Sequence, residues 1–413
     1  MTWSVMERRL QPYFSPRWLE SWWVRRLRRT FKTVSEELDT HPKRLFIDVS
    51  VISKNDAGTG IQRIVRTVAS YLLANPAPGW EFYAVGATRK RGYHSIAWPS
   101  DGTAIAASPI EGRPGDVFLG LDFALDSVRI HRNQLVDFKR HGGQLWFMMH
   151  DLLPIQYPEW FSDKNVVRFR KWLKILAALA DGFYCNSSHT EGELRQELVQ
   201  RYGLSSEFRT HVLPMGCELT GGRSSAGLPV GFSQFLQQLA RSATVLIVGT
   251  LEPRKGHVDV LSAFDTLWHK GLDYNLVIVG RPGWKTEALQ QTLRDHKQCG
   301  EHLFWLECAS DEALARLYST CNGVIVASLA EGFGLPLIES LGHGKPVLAR
   351  DIPVFRLHED KGVRYFPAKC RPPDLAHIID SWVKDIQEIK QKFPNDLPTW
   401  ADTARSIVAL LPA

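Results

Sequence analysis

The chain is predicted to be an α/β protein built from two successive Rossmann-like, doubly wound domains, and three observations predict this. Short apolar runs of strand length alternate with helix-periodic segments from residue 44 onward. The alternation is interrupted once, by a stretch of Gly, Ser and other small residues over 216–231, and then starts afresh. The length of 413 residues also exceeds the ~100 to 200 that one domain usually organises. Strands alternating with helices pair in parallel. Each half is therefore expected to form a largely parallel sheet, with ligands received at the carboxyl ends of its strands in a cleft that the two halves face.

The first strand falls at 44–50, R-L-F-I-D-V-S, and a glycine-bearing loop over 56–60 leads into an apolar-periodic helix over 61–73. Strands follow at 81–85, 116–121, 144–149 and 182–186, with helices at 129–140 and 165–180. Ser187 stands where a helix N-cap belongs, ahead of a polar helix, and 211–215 is the last strand of this half. After the break, strands at 244–248, 275–279, 302–306, 324–327 and 346–349 are separated by helices at 257–270, 286–296, 312–320 and 337–342. The apolar-periodic segment 399–411 predicts a closing helix that crosses back to the first domain. The expected organisation is an N-terminal extension (1–43), a first domain (44–216), a linker (217–240), a second domain (241–392) and a C-terminal helical segment (393–413). No short tandem repeat is visible.

Hydrophobic residues make up 44% of the chain and charged residues 23%, which excludes a mainly disordered, collagen-like or coiled-coil protein. No apolar run approaches the roughly 18 to 20 residues of a membrane span, and the N-terminal residues lack a compact apolar core with a small-residue cleavage site. A cytoplasmic location is expected. The six cysteines (Cys185, Cys217, Cys299, Cys308, Cys321, Cys370) form no C-x-x-C pair and have no His partner at zinc-finger spacing, so they read as reduced thiols. The formal charge of +6 is concentrated: residues 1–44 hold ten Lys and Arg against five Asp and Glu, together with Trp3, Trp18, Trp22 and Trp23. Such a segment either contacts an anionic surface, such as the inner face of the cytoplasmic membrane, or packs on the body of the protein. Nucleic-acid binding is not expected, because no nucleic-acid motif is present and the basic surplus sits in one terminal segment.

Four stretches carry residues suited to chemistry. In 328–339, S-L-A-E-G-F-G-L-P-L-I-E, two glycines after a strand let the backbone approach a ligand, and Pro336 marks the start of a helix. The free amides of that helix N-terminus form an anion site, and Glu331 and Glu339, eight residues apart, are placed to accept hydrogen bonds from sugar hydroxyls. In 248–256, V-G-T-L-E-P-R-K-G, Arg254 and Lys255 follow the first strand of the second half and supply fixed positive charge for a diphosphate. In 149–158, M-H-D-L-L-P-I-Q-Y-P, His150 and Asp151 follow a strand of the first half and are expected to face the cleft from the opposite side. In 55–63, N-D-A-G-T-G-I-Q-R, Gly58 and Gly60 form a glycine loop entering a helix. No D-x-D or His/Asp cluster argues for a metal.

In combination these stretches resemble the large retaining family 4 of GT-B fold glycosyltransferases, the group 1 glycosyl transferases, over about residues 44–390. The resemblance is most specific in E-G-F-G-L-P-L-I-E, which matches the family's E-x7-E signature, and in G-T-L-E-P-R-K-G. H-D-L-L-P and G-T-G-I-Q-R are similar to bacterial members that build surface polysaccharides. The resemblance implies that Arg254 and Lys255 grip the donor diphosphate, that the amides around Gly332, Phe333 and Gly334 complete the cradle, and that Glu339 binds the ribose and Glu331 the donor sugar. It further implies that His150 lies near the reacting centre and that Gly60 closes on the phosphates. Gly58, Thr250 and Leu335 complete the implied donor-binding set. Many relatives carry Arg where this chain has Thr250, which places more of the phosphate contact on Arg254 and Lys255.

The activity so implied is transfer of a hexose, with GDP-mannose the first choice of donor, to a glycan or polyprenyl-diphosphate-linked acceptor in O-antigen, capsule or exopolysaccharide synthesis. It retains anomeric configuration and needs no metal or other cofactor. The alternatives are a sugar-nucleotide epimerase of similar architecture and a non-catalytic glycan- or nucleotide-binding protein.

Overall fold

The computed structural model describes residues 16–31, 41–99, 108–219, 227–388 and 396–412. The chain divides into two compact units, one of Met1–Gly216 with Pro398–Ala413 and one of Cys217–Leu397.

The first unit is built on seven strands: β1 (Lys43–Asp48), β2 (Trp80–Gly86), β3 (His94–Ser95), β4 (Val117–Gly120), β5 (Gln144–Met149), β6 (Gly182–Cys185) and β7 (Arg209–Val212). Their order is β3-β2-β1-β4-β5-β6-β7, and every neighbouring pair is parallel except β2 with the short β3. The chain enters at β1 in the middle of the sheet and winds outward to both sides. β4 and β6 are buried along their whole length, as strands covered on both faces must be. The main core gathers Phe46, Phe118, Phe138, Phe147, Phe169 and Trp172 around this sheet.

The helices follow their sequence signals closely. Thr59 caps Gly60–Ala74 in a capping box with Gln62, Ser162 caps Asp163–Leu179, and Ser187 accepts from Thr190 N at the start of Ser188–Tyr202. The helix expected over 129–140 is two helices, Leu125–Ile130 and Arg132–Arg140, because His131 leaves helical geometry between them (φ −101°, ψ 24°). The last strand lies earlier than 211–215: it pairs with β6 over Arg209–Val212, and Pro214 beyond it has no N–H to give to a ladder. The helix Trp400–Ala409 belongs to the first unit, where Thr403 Oγ1 donates to Pro214 O at 2.6 Å.

Of the extension 1–43, residues 1–15 and 32–40 lie outside the described residues. Between them Arg17–Arg28 forms a helix packed on Asp163–Leu179 and Ser188–Tyr202.

The second unit has six parallel strands, β8 (Thr244–Val248), β9 (Asn275–Val279), β10 (Leu303–Leu306), β11 (Gly323–Val326), β12 (Val347–Arg350) and β13 (Arg364–Phe366), in the order β10-β9-β8-β11-β12-β13. This is again a sheet entered in the middle and wound both ways. The stretch 217–240 is more than a linker: it contains the helix Phe232–Leu239, whose Phe232 and Leu239 are buried in the core of this unit. The helix is strongly amphipathic, so the small residues before it, not the whole stretch, carry the break. No helix among the described residues is long and apolar enough to cross a membrane.

Candidate functional site

β8 and β11 are neighbours, so the loops leaving their carboxyl ends come together by topology alone. Leu329 N donates to Arg254 O at 2.7 Å and ties one loop to the other. Gly256, at φ +69°, permits the contact: a Cβ there would stand 2.2 Å from Ala327 O and would force the loops apart.

Between these loops lies a buried charge network. Glu331 sits 2.6 Å from Arg254 Nη1 and 2.5 Å from Lys255 Nζ, and Ser328 Oγ donates to it at 2.7 Å. Arg254 also lies 2.8 Å from Glu252 through Nε and donates to Ala330 O at 3.3 Å. Burial by itself would raise the Glu331 carboxyl. The Arg254 and Lys255 charges and the hydrogen bonds from Lys255 and Ser328 outweigh it and hold the group at about 2. Two cations and two carboxylates share the network, so its formal charge is zero. The two cations expected to meet a diphosphate are thus occupied by Glu331 and Glu252 in this structure.

The helix Leu335–Gly342 starts directly behind the network. Its N-cap is Gly334 at φ +95°, no side chain caps it, and Pro336 stands in its first turn. Pro336 has no N–H and Leu337 N donates to Gly334 O at 2.9 Å, so an anion at this end would meet only the remaining first-turn amides. Glu339 lies one turn in, is 2% exposed, and accepts from Tyr318 Oη at 3.3 Å. Tyr318 is itself held by stacking on His343, with ring centroids 4.8 Å apart and planes within 7°. Phe333, in the glycine loop, meets His358 edge to face at 5.6 Å. Burial lowers His358 to about 4, so this ring is neutral near neutral pH. Gly332 is buried, whereas Thr250, Phe333 and Leu335 are half-buried at the edge of this group.

His150, Gly58 and Gly60 belong to the first unit. His150 follows β5 and is buried, 4% exposed. Its Nε2 faces Leu121 O at 3.4 Å, and its buried Nδ1 has no partner among the described residues. Asn186, at the end of the adjacent β6, donates to His150 O at 2.7 Å and leaves its own Oδ1 without a partner among those residues. Burial drives the imidazole down to about 4, only partly opposed by the Leu121 carbonyl, so His150 is neutral.

Gly58 adopts φ +67° and nothing would meet a Cβ there within 4 Å. Its amide donates to Asp56 Oδ1 at 2.9 Å, Asp56 is paired with Arg66, and Gly60 is the first residue of its helix. The turn before this loop hangs on two buried carboxylates. Asp122 accepts from Val51 N (2.7 Å), Ile52 N (2.9 Å) and Phe123 N (2.8 Å), and Asp48 accepts from Ser50 N (2.9 Å) and Tyr93 Oη (3.1 Å). Burial and the nearby Asp122 charge push Asp48 up to about 7 despite these bonds.

Sequence reasoning missed four contributors. Glu252 and Ser328 lie inside the quoted motifs, and an acid or hydroxyl beside two cations was the available signal. Tyr318 and Asn186 had none, being 21 and 36 positions from the groups they bond.

Residues 234–395 match the family described as Glycosyl transferases group 1. The serotype-specific mannosyltransferase WbdA of Escherichia coli is 32% identical over 401 residues, which is 94% of this chain and 47% of that protein. The chain thus spans about half the length of the curated relatives it first matches. Among solved structures, sucrose-phosphate synthase from Thermosynechococcus elongatus aligns with a TM-score of 0.58 at 18% identity, over 89% of this chain and 94% of that one. Anabaena HepE in complex with UDP and glucose aligns with a TM-score of 0.56 at 18% identity, over 90% and 95%. The alternating elements, the two wound sheets and the E-x7-E segment seated on the loop and helix after β11 carry the same conclusion as these matches: the chain has the GT-B fold, and its residues 234–395 are those of a group 1 glycosyl transferase.

Proposed function

We propose that the chain transfers a hexose from a nucleotide-diphosphate sugar to a glycan or polyprenyl-diphosphate-linked glycan in bacterial surface polysaccharide synthesis, with mannose from GDP-mannose as the donor. The mannosyltransferase name of its relatives and the resemblance of its G-T-G-I-Q-R loop to mannosyl- and rhamnosyltransferases support this donor. The observation that carries the reading is the network of Arg254, Lys255 and Glu331 beside an uncapped helix N-terminus.

The chemistry follows from that neutrality. A diphosphate entering the network competes with Glu331 for Lys255 and Arg254. It takes over their charge, and the released Glu331 carboxylate turns to the hydroxyls of the sugar. Glu339, oriented by Tyr318, accepts from the ribose hydroxyls. When the bond between the anomeric carbon and the phosphate oxygen breaks, negative charge grows on the leaving diphosphate. Two cations and the helix amides stabilise it, which is chemistry a metal would otherwise supply. Configuration is retained if the acceptor oxygen forms its bond on the face the diphosphate leaves and passes its proton to a phosphate oxygen. His150, neutral and with a buried ring nitrogen, serves the reacting centre as a hydrogen-bonding group, not as a charge. Arg281 and Trp284, in the turn after β9, are the candidates to line the base. A lipid-linked acceptor requires the enzyme to work at the membrane surface, with residues 1–43 as the contact.

Labelled GDP-mannose incubated with and without a mannose-containing acceptor, in the presence and absence of EDTA, tests this. Label should move only when acceptor is present, with or without chelator, and the product should be the α-linked glycan. Donor conversion without acceptor would assign an epimerase, and donor binding without any conversion would assign a binding protein.

A further inference from the structure

We propose that the outward face of the helix Arg17–Arg28 docks the enzyme on a bilayer rich in anionic phospholipid. The inference rests on the lipid-linked acceptor reading and specifies which surface meets the lipid.

The helix sorts its residues into two faces. The inward one is fastened to the first unit: Val24 and Glu20 are buried, Glu20 pairs with Arg201 at 3.0 Å, and Ser21 Oγ donates to Tyr202 O at 2.8 Å. Arg28 donates to the carbonyls of Ala177 and Ala180, each at 2.8 Å. The only carboxylate of the helix is thereby consumed inside.

The outward face carries Trp18, 72% exposed, and Trp22, 49% exposed, with Arg25, Arg26 and Arg29 following at one-turn intervals along the same stripe. Arg26 lies over the Trp22 ring at 5.0 Å. No carboxylate pairs with Arg25, Arg26 or Arg29 among the described residues. Large aromatics in water beside unpaired guanidinium groups complement a headgroup region in which the rings enter the interface and the cations meet phosphate. Along the flank of the helix runs a groove of about 430 Å³. It is lined by Trp23, Leu27, Ile175 and Leu179 and by the polar side chains of Arg132, Asp137 and Arg140, the last two paired at 3.3 Å.

Position matters for function. Arg28 bonds Ala180 O, just ahead of β6, and Ser21 bonds the last residue of the helix leading to β7, so this helix lies at the amino ends of the strands. The loops bearing His150 and Gly58 leave the carboxyl ends. The docking face is therefore a tether, separate from the reacting groups.

Co-sedimentation of the full chain with vesicles of phosphatidylcholine alone and of phosphatidylcholine with about 30% phosphatidylglycerol tests the proposal. The unmodified chain should bind the anionic vesicles and leave the neutral ones. An Arg25→Ala, Arg26→Ala, Arg29→Ala variant should lose on the order of 100-fold in affinity, roughly fivefold for each guanidinium removed. A Trp18→Ser, Trp22→Ser variant should lose about tenfold or more. Both variants should keep the thermal midpoint and the sugar transfer to a water-soluble acceptor. Equal binding of all three proteins, no binding by the unmodified chain, or equal binding to neutral vesicles would overturn the proposal. So would a concentration-dependent dimer that both variants dissolve, which would assign the face to a second copy of the chain. If sugar transfer is absent throughout while vesicle binding follows the expected pattern, the transferase reading fails and the docking surface stands.

Discussion

Each unit buries a carboxylate at the end of a central strand or in the loop of its neighbour, and the two take opposite protonation behaviour. Asp48, closing β1 of the first unit, is surrounded by hydroxyls, an amide and a second acid, Asp122, and is pushed up to about 7. Glu331, in the loop after β11 of the second unit, is also buried, at 9% exposed, but faces Arg254 and Lys255 and is held at about 2. Burial raises both; the partners decide the direction. Hydrogen bonds from neutral donors satisfy a carboxyl's geometry without making its charge affordable, whereas two adjacent cations do both. Asp48 accordingly reads as a brace for the turn that leads to Gly58. Glu331 reads as a placeholder for an anion of higher charge.

The strongest way to break this comparison is through turnover. Lys255→Ala and Glu331→Ala should each lower sugar transfer roughly 10²- to 10³-fold, while Asp48→Asn should leave it within a few-fold; equal losses in all three would mean that the charge network has no special part in the reaction. Stability should separate the same acids next. Glu331→Gln leaves two buried cations short of a partner and should cost about 3 kcal/mol at pH 7 by chemical denaturation.

For Asp48 the sign is the reverse. Its folded value lies above the usual 3.8, so its favourable contribution is complete below about pH 4 and is lost as the pH rises through about 7. Asp48→Asn should therefore be about 1 kcal/mol more stable than the unmodified chain at pH 8, with the advantage gone at pH 4. An advantage that grew toward acid would refute the raised value. Glu331 is depressed, and its contribution is present above about 4.5 and disappears as the pH falls toward about 2.

The glycine loops sharpen the contrast at the smallest scale. Gly256 and Gly58 share nearly the same backbone angle, φ +69° and +67°, but Gly256 abuts Ala327 O and Gly58 meets nothing. Gly256→Ala should cost about 2 kcal/mol or more and loosen donor binding, whereas Gly58→Ala should cost about 1 kcal/mol, the conformational strain alone. Thermal unfolding of the pair in parallel measures the difference, and equal losses would place the second-unit loops farther apart than described.

Much of this was legible from residue order. Period-two and apolar runs locate eleven strands because each is a local pattern, and only β3 and β13, of two and three residues, are too short to show one. The helix Phe232–Leu239 was hidden by the small residues that precede it, and the break at His131 by helical periodicity running through it. In the site, Arg254, Lys255, Glu331 and Glu339 stand out because motif spacing is a property of the chain. That Glu331 neutralises both cations, that Tyr318 reaches Glu339, and that His150 is enclosed are not, since each depends on contacts between distant positions.

The concentration of positive charge in residues 1–44 shows the same division. By itself the sequence determined that Trp and Arg cluster there, that two wound sheets follow, and which loops carry cations and paired glutamates. Only the tertiary structure decided which side of Arg17–Arg28 is spent on Val24 and Glu20 and which side is left with Trp18, Trp22 and three arginines. It also decided that β8 and β11 are adjacent, so that Arg254 and Glu331, 77 positions apart, meet at 2.6 Å. The physical reason is that period and composition are written along one dimension. Burial, and the pairing of charges that burial enforces, exist only after the chain has closed on itself.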